Sequence, residues 1–282
     1  MKNIYSPLRY PGGKAKVLEF IKELIANNSF NDKPMYIEPY AGGAAVALGL
    51  LFDGYVSEIY INDFDPAIYS FWRSVKNNHK KFIQKIKDTP ITIEEWHTQK
   101  EIYQKSKISF DLGFATFFLN RCNVSGIIKG GCIGGLDQSG NYKIDCRFNK
   151  EKLIKKVEKI AEYKDKIHLY QEDTLTLLKR RDMKKLFKKC LLYLDPPYFV
   201  KGHQLYKNHY KKDDHEKIAE MMKKLKGNWV VSYDNVPEIR ELYHGFDTKN
   251  FSLIYSAGHI KKGKEIMFFS KSIKNIPNID VA

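Results

Sequence analysis

Residues 191–194 form a short apolar run that leads into Asp195, Pro196, Pro197 and Tyr198. The exocyclic amine of a nucleobase is a poor nucleophile until acceptors hold its hydrogens, because its lone pair is delocalised into the ring. Asp195 and the Pro196 carbonyl can be those acceptors, Tyr198 can stack on the base, and the prolines fix the backbone. These four residues are therefore the candidate catalytic motif. The alternative is an ordinary turn at the end of a strand, for which these residue types are also common.

A second candidate site lies at residues 35–44, where a predicted strand is followed by a glycine turn and a helix. Gly42 and Gly43 let a ligand approach the backbone closely. The turn lacks the Gly-x-Gly-x-x-Gly spacing of dinucleotide-binding proteins, which disfavours NAD. Asp63 ends the next predicted strand, where a carboxylate can bind ribose hydroxyls. The pattern indicates a nucleoside ligand, unless Asp63 instead caps the helix that begins near Pro66.

A third candidate site precedes the first predicted helix, where Gly12 and Gly13 come directly before Lys14. Backbone N–H groups at a helix N-terminus and a lysine side chain can together bind a carboxylate. The alternative is an N-terminal turn with a surface lysine.

The candidate sites require strands and helices to position them, and seven short apolar segments are predicted as strands. These segments are residues 36–37, 59–61, 167–170, 191–194, 229–231, 251–255 and 266–269. Most are separated by helical stretches, of which the clearest runs from an acidic N-cap at Asp213 or Asp214 to just before Gly227. This alternation predicts a doubly wound α/β sheet.

The long interval between the second and third predicted strands indicates an insertion. We predict an inserted domain at residues 67–163 and a catalytic domain formed by residues 1–66 and 164–282. Within the insertion, Thr92 and Glu95 form a predicted capping box, and residues 114–119 indicate a further helix. The glycine-rich residues 130–141 favour turns and a protruding hairpin.

Composition restricts the class of protein. The net charge of +15 at pH 7 points to a polyanionic partner such as nucleic acid. The apolar runs are far shorter than the roughly 18 residues that span a membrane, and no signal peptide is evident at the N-terminus. The four cysteines have no zinc-binding spacing. We therefore expect a soluble cytoplasmic protein without a metal site.

In this order the motifs resemble the Dam-type (D12 class) family of DNA adenine N6-methyltransferases, over essentially the whole chain. The resemblance implies the fold of a class I S-adenosylmethionine (SAM) methyltransferase. This is a Rossmann-like α/β fold with a seven-stranded mixed sheet, the last strand antiparallel, and an inserted helical and hairpin target-recognition domain. It also implies SAM as the methyl donor, S-adenosylhomocysteine as the product and no metal. Double-stranded DNA is the implied partner, at the nucleoid and away from membranes, with a cognate restriction endonuclease as a further expected partner.

The resemblance also assigns roles to residues, with Asp195, Pro196, Pro197 and Tyr198 as the catalytic motif. The implied cofactor-binding residues are Tyr10, Gly13, Lys14, Glu38, Pro39, Tyr40, Ala41, Gly42, Gly43, Asp63 and Asp173. The implied DNA-binding residues are Arg9, Arg121, Asn123, Val124 and Ser125.

Two departures from the family pattern concern aromatic side chains. Many relatives carry tryptophan at the position of Tyr10, which keeps an aromatic wall. Relatives that read GATC have an aromatic residue and an asparagine where this chain has Val124 and Ser125. The resemblance therefore does not extend to recognition of GATC, whereas Arg121 can still contact a phosphate or a guanine.

Three other functions remain open from the sequence. The first is N4-methylation of cytosine, against which Asp rather than Ser at position 195 favours adenine. The second is methylation of RNA or of a protein amide, whose enzymes usually have Asn before Pro-Pro-Tyr. The third is a non-catalytic nucleic-acid-binding module, which measurable cofactor turnover would exclude.

Overall fold

The computed structural model describes residues 5–9, 14–28, 30, 33–199, 210–255 and 261–278. Its helices are α1 (Lys14–Asn27), α2 (Ala45–Phe52), α3 (Pro66–Asn77), α4 (His79–Asp88), α5 (Ile93–Lys105), α6 (Phe110–Cys122), α7 (Lys150–Glu162), α8 (Thr174–Lys179), α9 (Arg181–Leu186), α10 (Lys212–Lys224) and α11 (Pro237–Leu242). Its strands are β1 (Met35–Glu38), β2 (Ile59–Asn62), β3 (Ile167–Tyr170), β4 (Cys190–Leu194), β5 (Asn228–Asp234), β6 (Asp247–Tyr255) and β7 (Lys261–Phe269).

The seven strands form one mixed sheet in the order β3-β2-β1-β4-β5-β7-β6. Strands β1 to β5 pair in parallel, whereas β7 is antiparallel to both β5 and β6. The α/β class, the seven predicted strands and the antiparallel last strand are confirmed. Strand order reverses between β1 and β4, which opens a crevice at their carboxyl ends where ligands of such sheets bind.

Side chains alternate across the sheet and build an apolar layer on each face. Tyr36 and Leu191 belong to one layer with helices α1 to α7, and Ile37 and Leu192 belong to the other with α8 to α11. The helices of the predicted insertion therefore share a core with α1 and α2. The domain boundaries at 67 and 163 remain a prediction.

The predicted hairpin is wrong, because the described residues 123–149 contain no strand and only one isolated bridge, between Asn123 and Cys132. The amide of Gln138 occupies the backbone groups that a strand ladder would need. Its Nε2 donates to the carbonyl of Ile133 (2.8 Å), and its Oε1 accepts from the N–H of Ile144 (2.8 Å). The segment is therefore a folded loop on the helical layer.

Helix boundaries match the capping signals in part. Thr92 caps α5 and accepts from the N–H of Glu95, as predicted. The N-cap of α10 is Lys211, whose N–H donates to Asp214 in the first turn, so the prediction of an acidic N-cap is wrong. In the described part of the chain, no helix combines the length and apolarity needed to cross a membrane.

Candidate functional site

Four acidic side chains follow the carboxyl ends of neighbouring parallel strands. Asp173 follows β3, Asp63 follows β2, Glu38 ends β1 and Asp195 follows β4. Because parallel strands end at the same edge, these residues lie along one edge in the order in which the strands pair, β3-β2-β1-β4. The sheet therefore joins the second candidate site to the candidate catalytic motif.

Asn62 holds three of these strand ends together, a role that the sequence analysis missed. Its buried side chain donates to the carbonyls of Pro39 (2.9 Å) and Glu172 (3.0 Å) and accepts from the N–H of Glu172 (2.8 Å). The available signal is an amide that ends an otherwise apolar strand.

Asp63 lies against the glycine turn rather than at a helix cap. Its Oδ2 accepts from the N–H of Gly42 (2.9 Å) and its Oδ1 from the N–H of Asp65 (2.9 Å). Asp65, not Asp63, caps α3 by accepting from the N–H of Ala67. The capping alternative is therefore excluded. Burial raises the pKa of Asp63 to about 7, although its backbone hydrogen bonds oppose the shift.

The turn between β1 and α2 is held from two sides. Gly42 and Ala44 both adopt positive φ (46°), a conformation that glycine tolerates and alanine disfavours. Trp72 of α3 donates its indole N–H to the carbonyl of Gly42 (2.8 Å), and buried Glu38 accepts from the N–H of Ala47 in the first turn of α2 (3.3 Å). These bonds fix the backbone before any ligand binds.

Asp195 is oriented by a hydroxyl chain from neighbouring strands. Ser232 donates to Asp195 Oδ1 (2.7 Å), and the hydroxyl of Tyr193 lies 2.9 Å from Ser232 Oγ. Because Ser232 has one hydroxyl hydrogen, Tyr193 is the donor to it. The hydroxyl of Ser232 therefore holds one oxygen of the Asp195 side chain in place.

Tyr198 is buried, with 7% of its surface exposed, and its hydroxyl donates to Glu265 Oε1 (2.6 Å). The following N–H, of Phe199, donates to Asp234 Oδ1 (2.9 Å). The stacking that we predict for Tyr198 therefore requires one face of its ring to be uncovered. The sequence analysis did not predict a role for Glu265, because the last predicted strand began at residue 266.

Residues 120–126, here called the recognition segment, are tied to the N-terminal residues 5–9. Buried Asn120 accepts from the N–H of Arg9 (2.7 Å) and donates to the carbonyls of Arg9 and Gly126 (both 2.8 Å). The guanidinium of Arg9 donates to the carbonyl of Asn123 (3.0 Å). The structure thus brings two separate groups of predicted DNA-binding residues together.

The direct DNA contact predicted for Asn123 is not available to this side chain, because it is fully buried. Its Oδ1 accepts the indole N–H of Trp96 (2.7 Å), and its Nδ2 donates to the carbonyls of Ile127 (2.9 Å) and Ile128 (2.8 Å), with that of Gly130 at 3.1 Å. Asn123 therefore shapes the recognition segment from within.

Val124 and Ser125 lie at the surface of the recognition segment. Val124 is 50% exposed. Ser125 is partly exposed and adopts positive φ (56°), a strained conformation for serine. A strained backbone position beside an exposed apolar side chain is a feature that binding segments often have.

Four basic side chains, here called the cation cluster, gather beside the recognition segment: Arg9, Arg121, Arg147 and Lys156. Arg121 donates to the carbonyl of Arg147 (2.7 Å), and Lys156 donates to that of Ser6 (3.0 Å). Burial and the charge of Arg9 lower the pKa of Arg121 to about 10, and burial and the charge of Arg121 lower the pKa of Lys156 to about 8. These cations repel one another, so a bound anion would stabilise the cluster.

The family model for the D12 class N6 adenine-specific DNA methyltransferase matches residues 10–257. The chain belongs to this family. It is similar to the type II methyltransferase M.MjaIII of Methanocaldococcus jannaschii, with 26% identity over 86% of this chain and 89% of that protein. The type II methyltransferase M.CviBI of Paramecium bursaria Chlorella virus NC1A is 24% identical over 85% and 86%. The DNA adenine methylase of Haemophilus influenzae is 23% identical over 68% and 63%.

The enzyme is therefore an adenine-specific DNA methyltransferase, and its mixed sheet is Rossmann-like. Membership in this family selects adenine in DNA over cytosine, over RNA or protein targets, and over a non-catalytic module.

Some predicted cofactor residues of this methyltransferase fall outside its described part. Tyr10 and Gly13 lie there, and Lys14 is described only as the first residue of α1. Asp173 caps α8 by accepting from the N–H of Thr176 (3.1 Å), so a cofactor contact would share this carboxylate with the cap. Among the described residues there is no group of three or more His, Cys, Asp or Glu that could hold a metal ion.

Proposed function

We propose that this enzyme binds SAM along the β3-β2-β1 edge and methylates N6 of an adenine flipped out of duplex DNA at a specific sequence. The observation that carries the proposal is the position of the glycine turn, which Asp63 contacts, at the end of β1, next to strand β4 that leads to Asp195. A nucleoside ligand and a base amine can then meet at one sheet edge.

The residues at the β3-β2-β1 edge fit the chemical groups of SAM, which supplies an electrophilic methyl group when bound. Asp63 accepts hydrogen bonds from the ribose hydroxyls, since its carboxylate has capacity beyond its two N–H contacts. Phe64 is 55% exposed directly beside it and offers an aromatic face to the adenine ring, a role absent from the sequence prediction. Asp173 is the polar contact for that ring, and Lys14 the contact for the carboxylate.

Asp195 and the Pro196 carbonyl hold the target amine of the flipped adenine. Hydrogen bonds from the amine to these acceptors localise its lone pair on nitrogen and aim it at the methyl group. Ser232 keeps Asp195 in place while this happens. Extrusion of the base costs a few kcal/mol, which pocket contacts with Tyr198 offset.

The cation cluster and the recognition segment form the proposed DNA surface. Phosphate groups can be bound by Arg9, Arg121, Arg147 and Lys156, while Val124 presents an apolar side chain to the bases. Nucleoid association follows from this binding. Two relatives are named type II methyltransferases, which supports a cognate restriction endonuclease as a partner. The sequence that this endonuclease recognises would be the one in which adenines are methylated in DNA from cells that express the enzyme.

SAM affinity is expected to rise with pH up to about 7 and then level off. Ribose hydroxyls favour the ionised carboxylate of Asp63, so binding lowers its raised pKa and releases a proton. The expected loss of affinity between about pH 8 and about pH 6 is on the order of tenfold. Titration calorimetry in a chelator, in two buffers of different ionisation enthalpy, measures both affinity and proton release.

Asp63→Asn should weaken binding and remove this pH dependence, while Asp88→Asn at the exposed end of α4 should leave both unchanged. Equal affinity at both pH values, or the same dependence in Asp63→Asn, would place the titrating group elsewhere. Binding that required an added divalent metal would contradict the metal-free site.

DNA affinity is expected to fall steeply as the salt concentration rises. It should also fall as the pH rises through about 8, because Lys156 loses its proton there in the protein without DNA. Lys156→Ala should reduce the slope of log affinity against log salt by about 1, the value for one phosphate contact. Lys155→Ala, exposed on another face of α7, is the matched control and should not change it. Fluorescence anisotropy over a series of salt concentrations measures these slopes. Equal slopes for the two variants would show that Lys156 does not contact a DNA phosphate.

A further inference from the structure

Polar side chains occupy one face of the sheet where β4, β5 and β7 meet the catalytic motif. Ser232 and Asp234 are two residues apart on β5 and so point the same way, and Glu265 on β7 is the cross-strand partner of Asp234. The neighbouring positions Val230 and Met267 place this face toward the α1 to α7 layer. Apolar packing thus gives way to hydrogen bonding at this edge.

Each of these three side chains contacts a different part of the motif. Ser232 donates to Asp195 (2.7 Å), Asp234 accepts the N–H of Phe199 (2.9 Å), and Glu265 accepts the hydroxyl of Tyr198 (2.6 Å). The motif is therefore fixed at its carboxylate, at its aromatic ring and at the backbone that follows it. We call these three side chains the β5–β7 template.

Glu265 is the member of the template whose burial is the least favourable for folding. It is 2% exposed and precedes the apolar residues 266–269 of the same strand, so burying its carboxylate opposes folding unless hydrogen bonds compensate. A β-branched residue would suit the strand better. The contact of this carboxylate with the catalytic motif is the hydroxyl of Tyr198.

We propose that Glu265 is a positioning residue for methyl transfer, which holds the Tyr198 ring beside Asp195 by binding its hydroxyl. This inference rests on the proposed function. Rotation about χ1 moves the far end of a tyrosine ring, so a hydrogen bond to the hydroxyl at that end restrains this torsion. When the ring face is uncovered for the base, the bond to Glu265 keeps the ring from swinging away, so the flipped adenine meets a surface already in place.

A double-mutant cycle between Tyr198→Phe and Glu265→Ala tests the coupling, with single-turnover methylation of unmethylated duplex DNA as the readout. Glu265→Ala should slow methylation by about tenfold to a hundredfold, as displaced reacting groups do, and leave SAM affinity unchanged. In the Tyr198→Phe background, Glu265→Ala should reduce the methylation rate only slightly further. Glu265→Gln keeps an acceptor at the same place and should restore most of the rate.

The same cycle measured in the free energy of unfolding reports the bond itself, whether or not the chain is active. Tyr243→Phe, which removes a buried phenol hydroxyl away from the motif, is the matched control and should leave methylation unchanged. Additive unfolding energies would show that no such bond exists. The positioning role would be overturned if the two substitutions were coupled in unfolding free energy but had additive effects on the methylation rate. It would also be overturned if Glu265→Ala reduced only the affinity for SAM.

Failure of the proposed function has a different signature. If the unsubstituted chain bound SAM and DNA but left adenine unmodified, the proposed function would fail and the positioning role with it, whatever the unfolding energies. If the unsubstituted chain methylated adenine and Glu265→Ala did so at the same rate, only the role of Glu265 would be wrong.

Discussion

Asp195→Ala is expected to lose nearly all methyl transfer while keeping the fold and the affinity for SAM. Asp195 contacts Ser232 and is assigned to the target amine, whereas the glycine turn that we propose for the cofactor contacts Asp63. An acceptor that orients the amine and stabilises its developing positive charge acts chiefly in the transition state. Loss of one such preorganised group typically lowers kcat by about a hundredfold to a thousandfold. Single-turnover methylation with SAM affinity measured in parallel separates the two roles.

The control for this prediction is Asp213→Ala, which removes an exposed carboxylate in the first turn of α10. It should methylate at the parental rate. Asp195→Asn keeps one acceptor oxygen without the charge and should fall between alanine and the parent. Transfer by Asp195→Ala at close to the parental rate would refute the assignment of Asp195 to the amine.

The second large effect is expected for Asn123→Ala, which should abolish DNA methylation because it disrupts the recognition segment. The substitution leaves the buried Trp96 indole N–H without its acceptor, and the partly buried carbonyls of Ile127 and Ile128 without their donor. Each unsatisfied group costs about 1 to 3 kcal/mol, so we expect the segment to unfold locally and DNA affinity to be lost. SAM affinity should be retained, because the cofactor edge lies on other elements.

Asn123→Asp refines this test if the alanine variant does not accumulate, since it keeps the acceptor for Trp96 and loses the donors to the carbonyls. Asn141→Ala, exposed in the same part of the chain, is the control and should behave as the parent. Hydrogen exchange locates the change. Unaltered protection of residues 120–130 together with parental DNA affinity would contradict the shaping role of Asn123.

The strands that carry the site could be predicted from the sequence because parallel strands buried on both faces are continuous apolar runs. The carboxyl end of each run marks the ligand edge, which is how Asp63, Asp195 and the glycine turn were found. Extensions of β6 back to Asp247 and of β7 back to Lys261 were missed, since residues 247–250 and 261–264 are polar and carry no apolar signal. Each of these ends pairs antiparallel with the apolar part of the other strand.

Contacts between distant residues explain what the sequence could not show. Glu265 and Tyr198 are 67 positions apart, and Asn123 reaches Trp96 across 27, so neither pair forms a local pattern. The family resemblance assigns Asn123 to DNA binding, whereas its burial depends on how α5 packs on α6. The predicted hairpin failed for a related reason, because turn-forming residues also suit a loop closed by the Gln138 amide.

The most direct test of the central claim is the identity of the base that receives the methyl group. Unmethylated duplex DNA is incubated with the enzyme and SAM labelled in its methyl group, then digested to nucleosides and separated. We predict that the label is found in N6-methyldeoxyadenosine, in one sequence context, and that Asp195→Ala gives almost none. Label in N4-methyldeoxycytidine, or no label in DNA although SAM is bound, would contradict this account.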